Sequence, residues 1–175
     1  MRREAPKGTL LHNGSADCVG LFVVLDGVLR VFAQSEGGKE ITLYRLLERD
    51  ICLFSAACIL SSVQFDMQVQ AETDTNFLVI PAPVYKTLMH ESLPVANFTN
   101  QLMASRFTEV MWLLDQILSK SFDARLAAFL LEEAGVRQSM ELPLTHEQIA
   151  GHLGTAREVV SRMLKYFESE GAVEL

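Results

Sequence analysis

The stretch Leu144-Thr-His-Glu-Gln-Ile-Ala-Gly-His-Leu-Gly-Thr-Ala-Arg-Glu-Val-Val-Ser-Arg-Met-Leu-Lys-Tyr-Phe167 constrains this chain more than any other part of it. Thr145 is a good helix N-cap, because its hydroxyl can accept from a first-turn amide that has no partner inside the helix. After it Ile149, Ala150 and Leu153 recur at helical spacing, and Gly154 suits the left-handed residue that ends a helix. A second helix is expected beyond Thr155, whose hydroxyl and the carboxylate of Glu158 stand in capping-box register. Val159, Met163, Leu164 and Phe167 form its expected buried stripe, leaving Arg157, Glu158, Ser161, Arg162 and Lys165 on the opposite face. Two short helices joined by a tight turn, the second tipped with long polar side chains, fit a helix-turn-helix whose second helix enters a major groove. Arginine can donate twice to guanine and glutamate can accept from cytosine, so the residue types suit base reading. The competing interpretation is an ordinary helical hairpin with a solvated charged face.

The pattern Leu-Thr-x-Glu-x-Ile-Ala-x-x-Leu-Gly-x-x-Arg-Glu-x-Val-Ser-Arg-x-Leu, beginning at Leu144, closely resembles the helix-turn-helix of the Crp/Fnr family of bacterial transcription regulators. The resemblance implies that Glu158 and Arg162 read the half-site, with Arg157 matching the Crp branch and Ser161 the Fnr branch. The expected DNA-contacting set is Thr145, His146, Thr155, Arg157, Glu158, Ser161, Arg162 and Lys165. The sequence departs from the family at Ala156, where a Ser or Thr usually caps the helix and touches phosphate; Thr155 is expected to take over the capping. The chain stops at Glu174-Leu175, just past Gly171, where family members continue into a β-hairpin wing, so a truncated wing is expected.

The 175 residues suffice for one domain or two small ones, and 49% apolar against 21% charged residues can bury a core. No apolar run approaches the roughly 18 residues of a membrane span. The opening Met-Arg-Arg-Glu-Ala-Pro-Lys-Gly lacks the hydrophobic stretch of a secretion signal, so a soluble cytoplasmic protein with no membrane partner is expected. A net charge of −7 argues against wholesale nucleic-acid binding, which leans on phosphate neutralisation, but leaves room for a local basic face. Between Thr145 and Lys165 that face is slight: Arg157, Arg162 and Lys165 against Glu147 and Glu158. The three cysteines, Cys18, Cys52 and Cys58, have no metal-knuckle spacing, and disulfides are not expected in the cytoplasm.

The fold class expected is α+β: an N-terminal β-roll (jelly roll) sensor over 1–83, a long dimerisation helix and hinge over 84–120, and the helix-turn-helix over 121–175. Residues 19–25 and 28–32 read as strands, and Asp26-Gly27 between them is a two-residue hairpin signal. Gly37-Gly38 marks another turn before a strand at 40–44, and 67–71 and 76–80 read as two more, the last ended by Pro81. Short strands at close intervals suggest a sandwich or jelly roll. The segments 7–14 and 25–32 resemble the cyclic-nucleotide-binding β-roll that precedes the Crp/Fnr reader.

Relatives that bind cyclic AMP hold its ribose with a Gly-Glu-Leu segment and its phosphate with an Arg. In the matching region this chain has Asp50-Ile-Cys-Leu-Phe-Ser-Ala-Ala-Cys, and the segment 63–68 contains no Arg. A buried phosphate without a cationic partner is costly and Asp66 would repel it, so cyclic AMP is not expected as effector. The expected effector pocket comprises Cys52, Ser55, Cys58 and Gln64, with haem, a metal cluster or a small organic molecule all open. The thiols also fit a packing role, and three cysteines with this spacing do not match four-cysteine iron–sulfur sensing. A cupin-type metal enzyme would need several converging ligands, whereas the β-region offers only His12; no catalytic residue and no metal site are assigned, and no enzyme is expected.

A long helical stretch is expected over 84–119, broken near Pro94. Within it Met103, Phe107, Val110, Leu114 and Ile117 step by four and three, a heptad seam that Trp112, Leu113 and Leu118 widen. A homodimer is expected, since Crp/Fnr relatives pair through a helix at this place and palindromic operators need two readers about a two-fold axis. Residues 119–123 read as the hinge, 124–134 as a helix ended by Gly135, and 136–144 as a connection with room for a short strand. The partners expected are DNA, a second copy of the chain, an effector and, as a candidate, RNA polymerase. The alternative is a ligand- or partner-binding module of the same fold that no longer binds DNA.

Overall fold

A computed structural model describes residues 1–14, 20–53, 55 and 67–175. Within them eight strands precede five helices. One four-stranded sheet runs β1 (Arg2–Ala5), β8 (Thr75–Ile80), β3 (Leu21–Asp26), β6 (Ile51–Cys52), and the other β2 (Leu10–Asn13), β7 (Met67–Ala71), β4 (Leu29–Gln34), β5 (Glu40–Leu46). Strict alternation explains the two-sheet packing. Met67, Val69 and Ala71 on β7 and Thr75, Phe77 and Val79 on β8 are buried, while the residues between them are not. The inward side chains join Phe22, Val24, Leu29, Val31 and Leu46 in one core, where Phe22 and Phe77 meet edge to face at 5.1 Å.

Asp26-Gly27 is a turn but not the expected hairpin. β3 pairs with β8 and β6, whereas β4 pairs with β7, so the turn carries the chain from one sheet to the other. Gly27 lies at φ +89°, and a Cβ there would stand 2.4 Å from the Asp74 carbonyl oxygen. Side-chain and backbone bonds from residues 72–75 to Val28 hold the crossing, including Val28 N–H to Thr73 Oγ1 at 2.9 Å. The hairpin falls instead between β4 and β5, around Gly37-Gly38.

The chain divides into two compact units, Met1–Gln34 with Leu43–Met111, and Ser35–Thr42 with Trp112–Leu175. In the first, α1 (Ala82–Glu91) starts after Pro81; α2 (Leu93–Ser119), which belongs to the first unit as far as Met111, starts after Ser92 with Pro94 in its first turn, where the missing amide costs nothing. Val95, Leu102 and Met103 of α2 pack on a buried cluster of Leu21, Leu53, Ala82 and Tyr85. The Tyr85 hydroxyl lies 2.7 Å from that of Thr99, which donates to the Val95 carbonyl at 2.8 Å. Two turns on from Thr99, the Arg106 guanidinium is buried against Tyr44, bonded to both Glu109 carboxylate oxygens at 2.8 Å and to Asp50 at 3.4 Å.

In the second unit α3 (Phe122–Arg137), α4 (His146–Leu153) and α5 (Arg157–Ser169) enclose a core of Leu126, Phe129, Ile149, Ala150, Val160 and Leu164. Only Lys120 and Ser121 separate α2 from α3. Gly135 does not end α3 as expected: the helix continues to Arg137, and Gln138 takes the left-handed position at φ 51°. A glycine permits termination without requiring it. Residues 138–145 contain no strand.

Candidate nucleic-acid interface

The reader is built from a well-capped first helix. Thr145 Oγ1 accepts from Gln148 N–H at 3.2 Å, and Gln148 Oε1 accepts from Thr145 N–H at 2.8 Å, a reciprocal capping box. At the other end Gly154 lies at φ 68°, with its amide and that of Thr155 both turned back to the Ala150 carbonyl. The turn between α4 and α5 is thus fixed by a few local bonds.

The second helix begins differently from expectation. Its N-cap is Ala156, not Thr155, and no side chain caps it. The backbone enters the helix one residue later than the capping-box register required, so Glu158 falls at the second helical position. The buried stripe is also shifted: Val160 and Leu164 are fully buried, Met163 and Phe167 pack at its edge, and Val159 is only half-buried. Val160 went unassigned because it neighbours an equally apolar Val159, and the 3.6-residue period alone does not choose between them.

That rotation still leaves Arg157, Glu158, Arg162 and Lys165 exposed on one side of α5. Ser161 shares the face but is half-buried, its hydroxyl 2.8 Å from His146 Nδ1. Thr145, His146, Glu147 and Arg157 line an open depression between the tips of α4 and α5. Thr155 is half-buried in the turn. On α5 alone the arrangement offers guanidinium and ammonium donors, the Glu158 carboxylate as acceptor and the Ser161 hydroxyl within about two and a half helical turns.

In the first unit, Cys52 lies in the β-roll core and Ser55 is fully buried. The Ser55 hydroxyl donates to the Cys52 carbonyl at 2.9 Å and accepts from Phe22 N–H at 3.2 Å, so both of its bonds tie down backbone. Cys58 and Gln64 lie outside the described residues, as does most of the arginine-free segment weighed against cyclic AMP. Sequence reasoning missed the cluster of Tyr44, Asp50, Arg106 and Glu109; the signal was a lone arginine on the α2 stripe that faces the β-roll. Burial, then the neighbouring Cys52 thiol, pushes the Tyr44 phenol well above its ordinary value, against the pull of Arg106. Burial also works against the Arg106 charge, but the Glu109 hydrogen bond and the nearby carboxylates outweigh it and raise the guanidinium above its usual range.

Of the seam expected on α2, Phe107, Leu114 and Ile117 are exposed, Val110 is half-buried, and Met103 packs on the cluster described above. Met111, Trp112 and Leu118 extend the exposed apolar face; Phe107, Met111, Leu114 and Leu118 repeat at steps of four, three and four. Among the described residues no helix is long and apolar enough to cross a membrane.

Residues 124–175 match the Crp-like helix-turn-helix domain, and residues 2–92 the Cyclic nucleotide-binding domain. A crystal structure of a putative transcriptional regulator of the crp/fnr family from Eubacterium rectale is 53% identical, with a TM-score of 0.98 over 100% of this chain and 81% of that one. The chain belongs to the Crp/Fnr family. Other Crp/Fnr relatives include the Cyclic AMP receptor protein of Thermus thermophilus, 29% identical over 99% of this chain and 80% of that protein. The transcriptional activator protein FnrA of Stutzerimonas stutzeri is 27% identical over 98% and 72%. As a Crp/Fnr regulator, the chain is a DNA-binding transcription regulator with an effector-binding domain.

Proposed function

We propose that two copies of this chain pair through α2 and present their α5 helices to the two halves of a palindromic operator. The observation that carries the reading is the split of α5. Its apolar side is consumed by the core of its own unit, while Arg157, Glu158, Arg162 and Lys165 stand exposed together. Charged residues gathered on one helix tip, next to a tight glycine turn, have the chemistry for base edges and phosphates. Arg162 and Arg157 donate to guanine, Glu158 accepts from cytosine, and Ser161 contacts an adjacent base. Lys165, Thr145, His146 and Thr155 meet the phosphate backbone. The uncapped amides of α5 add to the positive field at that end.

The exposed face running from Phe107 to Leu118 supports the homodimer, since a monomer would leave these large apolar side chains in water. The β-roll is the effector domain. Cyclic AMP is not expected there because the segment 63–68 has no arginine for the phosphate. Effector binding would shift the population of hinge arrangements around Lys120-Ser121 and so the spacing of the two readers. The protein acts in the cytoplasm, where its operator lies, and RNA polymerase is a candidate partner. Selection from a pool of random duplexes tests the reading: an inverted repeat should be enriched, and a pool that stays random would overturn it.

A further inference from the structure

Ser161 stands on the exposed face of α5 among the residues assigned to base reading, yet its hydroxyl is already committed to a histidine. His146 is the first residue of α4, and its Nδ1 lies 2.8 Å from Ser161 Oγ. Histidine is the side chain whose ordinary charge change falls between pH 5 and 8. We infer that the protonation state of His146 determines whether Ser161 has a hydrogen to donate to the base it meets, making operator selectivity at one base pair depend on pH. The inference rests on the operator-reading function proposed above.

The chemistry follows from the hydrogen inventory of the two groups. In a neutral ring carrying its hydrogen on Nε2, the form a phosphate oxygen at Nε2 would select, Nδ1 can only accept. Ser161 must then donate its single hydrogen to His146, and only Oγ lone pairs remain for DNA. Those lone pairs suit the amino group of adenine or cytosine. When the ring takes a proton from solvent, Nδ1–H donates to Oγ instead. The serine hydrogen is released and can point to guanine O6 or N7, adenine N7 or thymine O4, while one Oγ lone pair remains. No bond other than hydrogen bonds changes.

The surroundings of the ring hold charges of both signs. Glu147 beside it on α4 and Arg157 from α5 line the same depression, and Glu158, Arg162 and Lys165 flank Ser161 along α5. A contact that only stapled the two helices together would change stability or overall affinity, but it would not exchange one preferred base for another.

The test is duplex selection with the full chain at about pH 8 and about pH 5.5, followed by binding to the enriched duplex and its single-base variants. At one base pair in each half-site, guanine and thymine, which offer only acceptors in the major groove, should gain on cytosine, which offers only its amino group, as the pH falls. The expected change in relative affinity is about five- to tenfold, the scale of one hydrogen bond gained or lost. His146→Gln, whose amide does not titrate, should make that preference the same at both pH values. Ser161→Ala, whatever its overall affinity, should also remove the shift, and melting curves of both variants establish that they are folded. Identical base preference for the wild-type chain at both pH values overturns the inference alone, as does a shift that persists in folded Ser161→Ala. Failure of the wild-type chain to enrich any sequence at either pH overturns the operator reading and the inference with it.

Discussion

Thr145 and Gln148 each satisfy the other's backbone amide, at 3.2 and 2.8 Å, and this exchange starts the helix on which the reader rests. Thr145→Ala removes one half of it. The expected cost is about 1 kcal/mol, within the 0.5–2 kcal/mol range of such caps. Urea denaturation followed by circular dichroism measures it, and Thr145→Ser should recover most of the loss.

Gly27 marks the crossing between the two sheets, and its backbone conformation is closed to other residues. At φ +89°, any Cβ would meet the Asp74 carbonyl and the Thr75 hydroxyl. Gly27→Ala should therefore destabilise the β-roll by about 1–3 kcal/mol, combining left-handed strain with displacement of backbone. Gly38, also at positive φ but with nothing within 4 Å of its Cβ position, should lose less on the same substitution. Thermal unfolding of the two variants compares them directly.

Tyr44 couples the β-roll to pH at the alkaline end. Its phenol is held neutral above its ordinary value of 10.0, chiefly by burial. The unfolded chain ionises there first, so this contribution to stability is complete below about pH 10 and falls as pH rises beyond it. Tyr44→Phe should flatten the alkaline decline in stability. Absorbance titration should correspondingly show a phenol that ionises late, with unfolding, in the wild-type chain and that is lost in Tyr44→Phe.

Base reading and phosphate contact predict opposite signatures on α5. Arg162→Ala should cost about 1–3 kcal/mol on the preferred duplex and relax selectivity at one base pair, and Glu158→Ala should do so at another. Lys165→Ala should weaken binding on all duplexes alike and reduce the salt slope by about one. Binding isotherms over single-base duplex variants separate the two classes. An Arg162→Ala variant that loses affinity equally on every sequence would place that residue on the backbone.

The helix-turn-helix was legible because its signals are local: a Thr cap, an apolar period and a glycine stop lie within a dozen residues of one another. The errors came where local chemistry leaves a choice to the rest of the fold. Asp26-Gly27 specified a turn, but whether the next strand pairs with the previous one depends on β7 and β8, far along the chain. The cap of α5 moved from Thr155 to Ala156 because the turn geometry set by Gly154, not the hydroxyl, decides where the helix begins. On α2 the heptad pattern located the exposed face, yet Met103 went to the β-roll cluster and Met111 was overlooked. Two apolar stripes overlap there, and Arg106, the most committed side chain on the inner one, carries no hydrophobic signal.

The most direct test of paired operator reading is fluorescence anisotropy across a salt gradient on two duplexes. One carries the selected inverted repeat, and the other carries the same sequence with one half-site scrambled. Two α5 helices acting together predict that scrambling weakens binding by more than about 100-fold, because several base pairs each contribute about 1–3 kcal/mol. Affinity for the intact repeat should also fall linearly with salt on logarithmic axes. Equal affinity for both duplexes at every salt concentration would contradict the account.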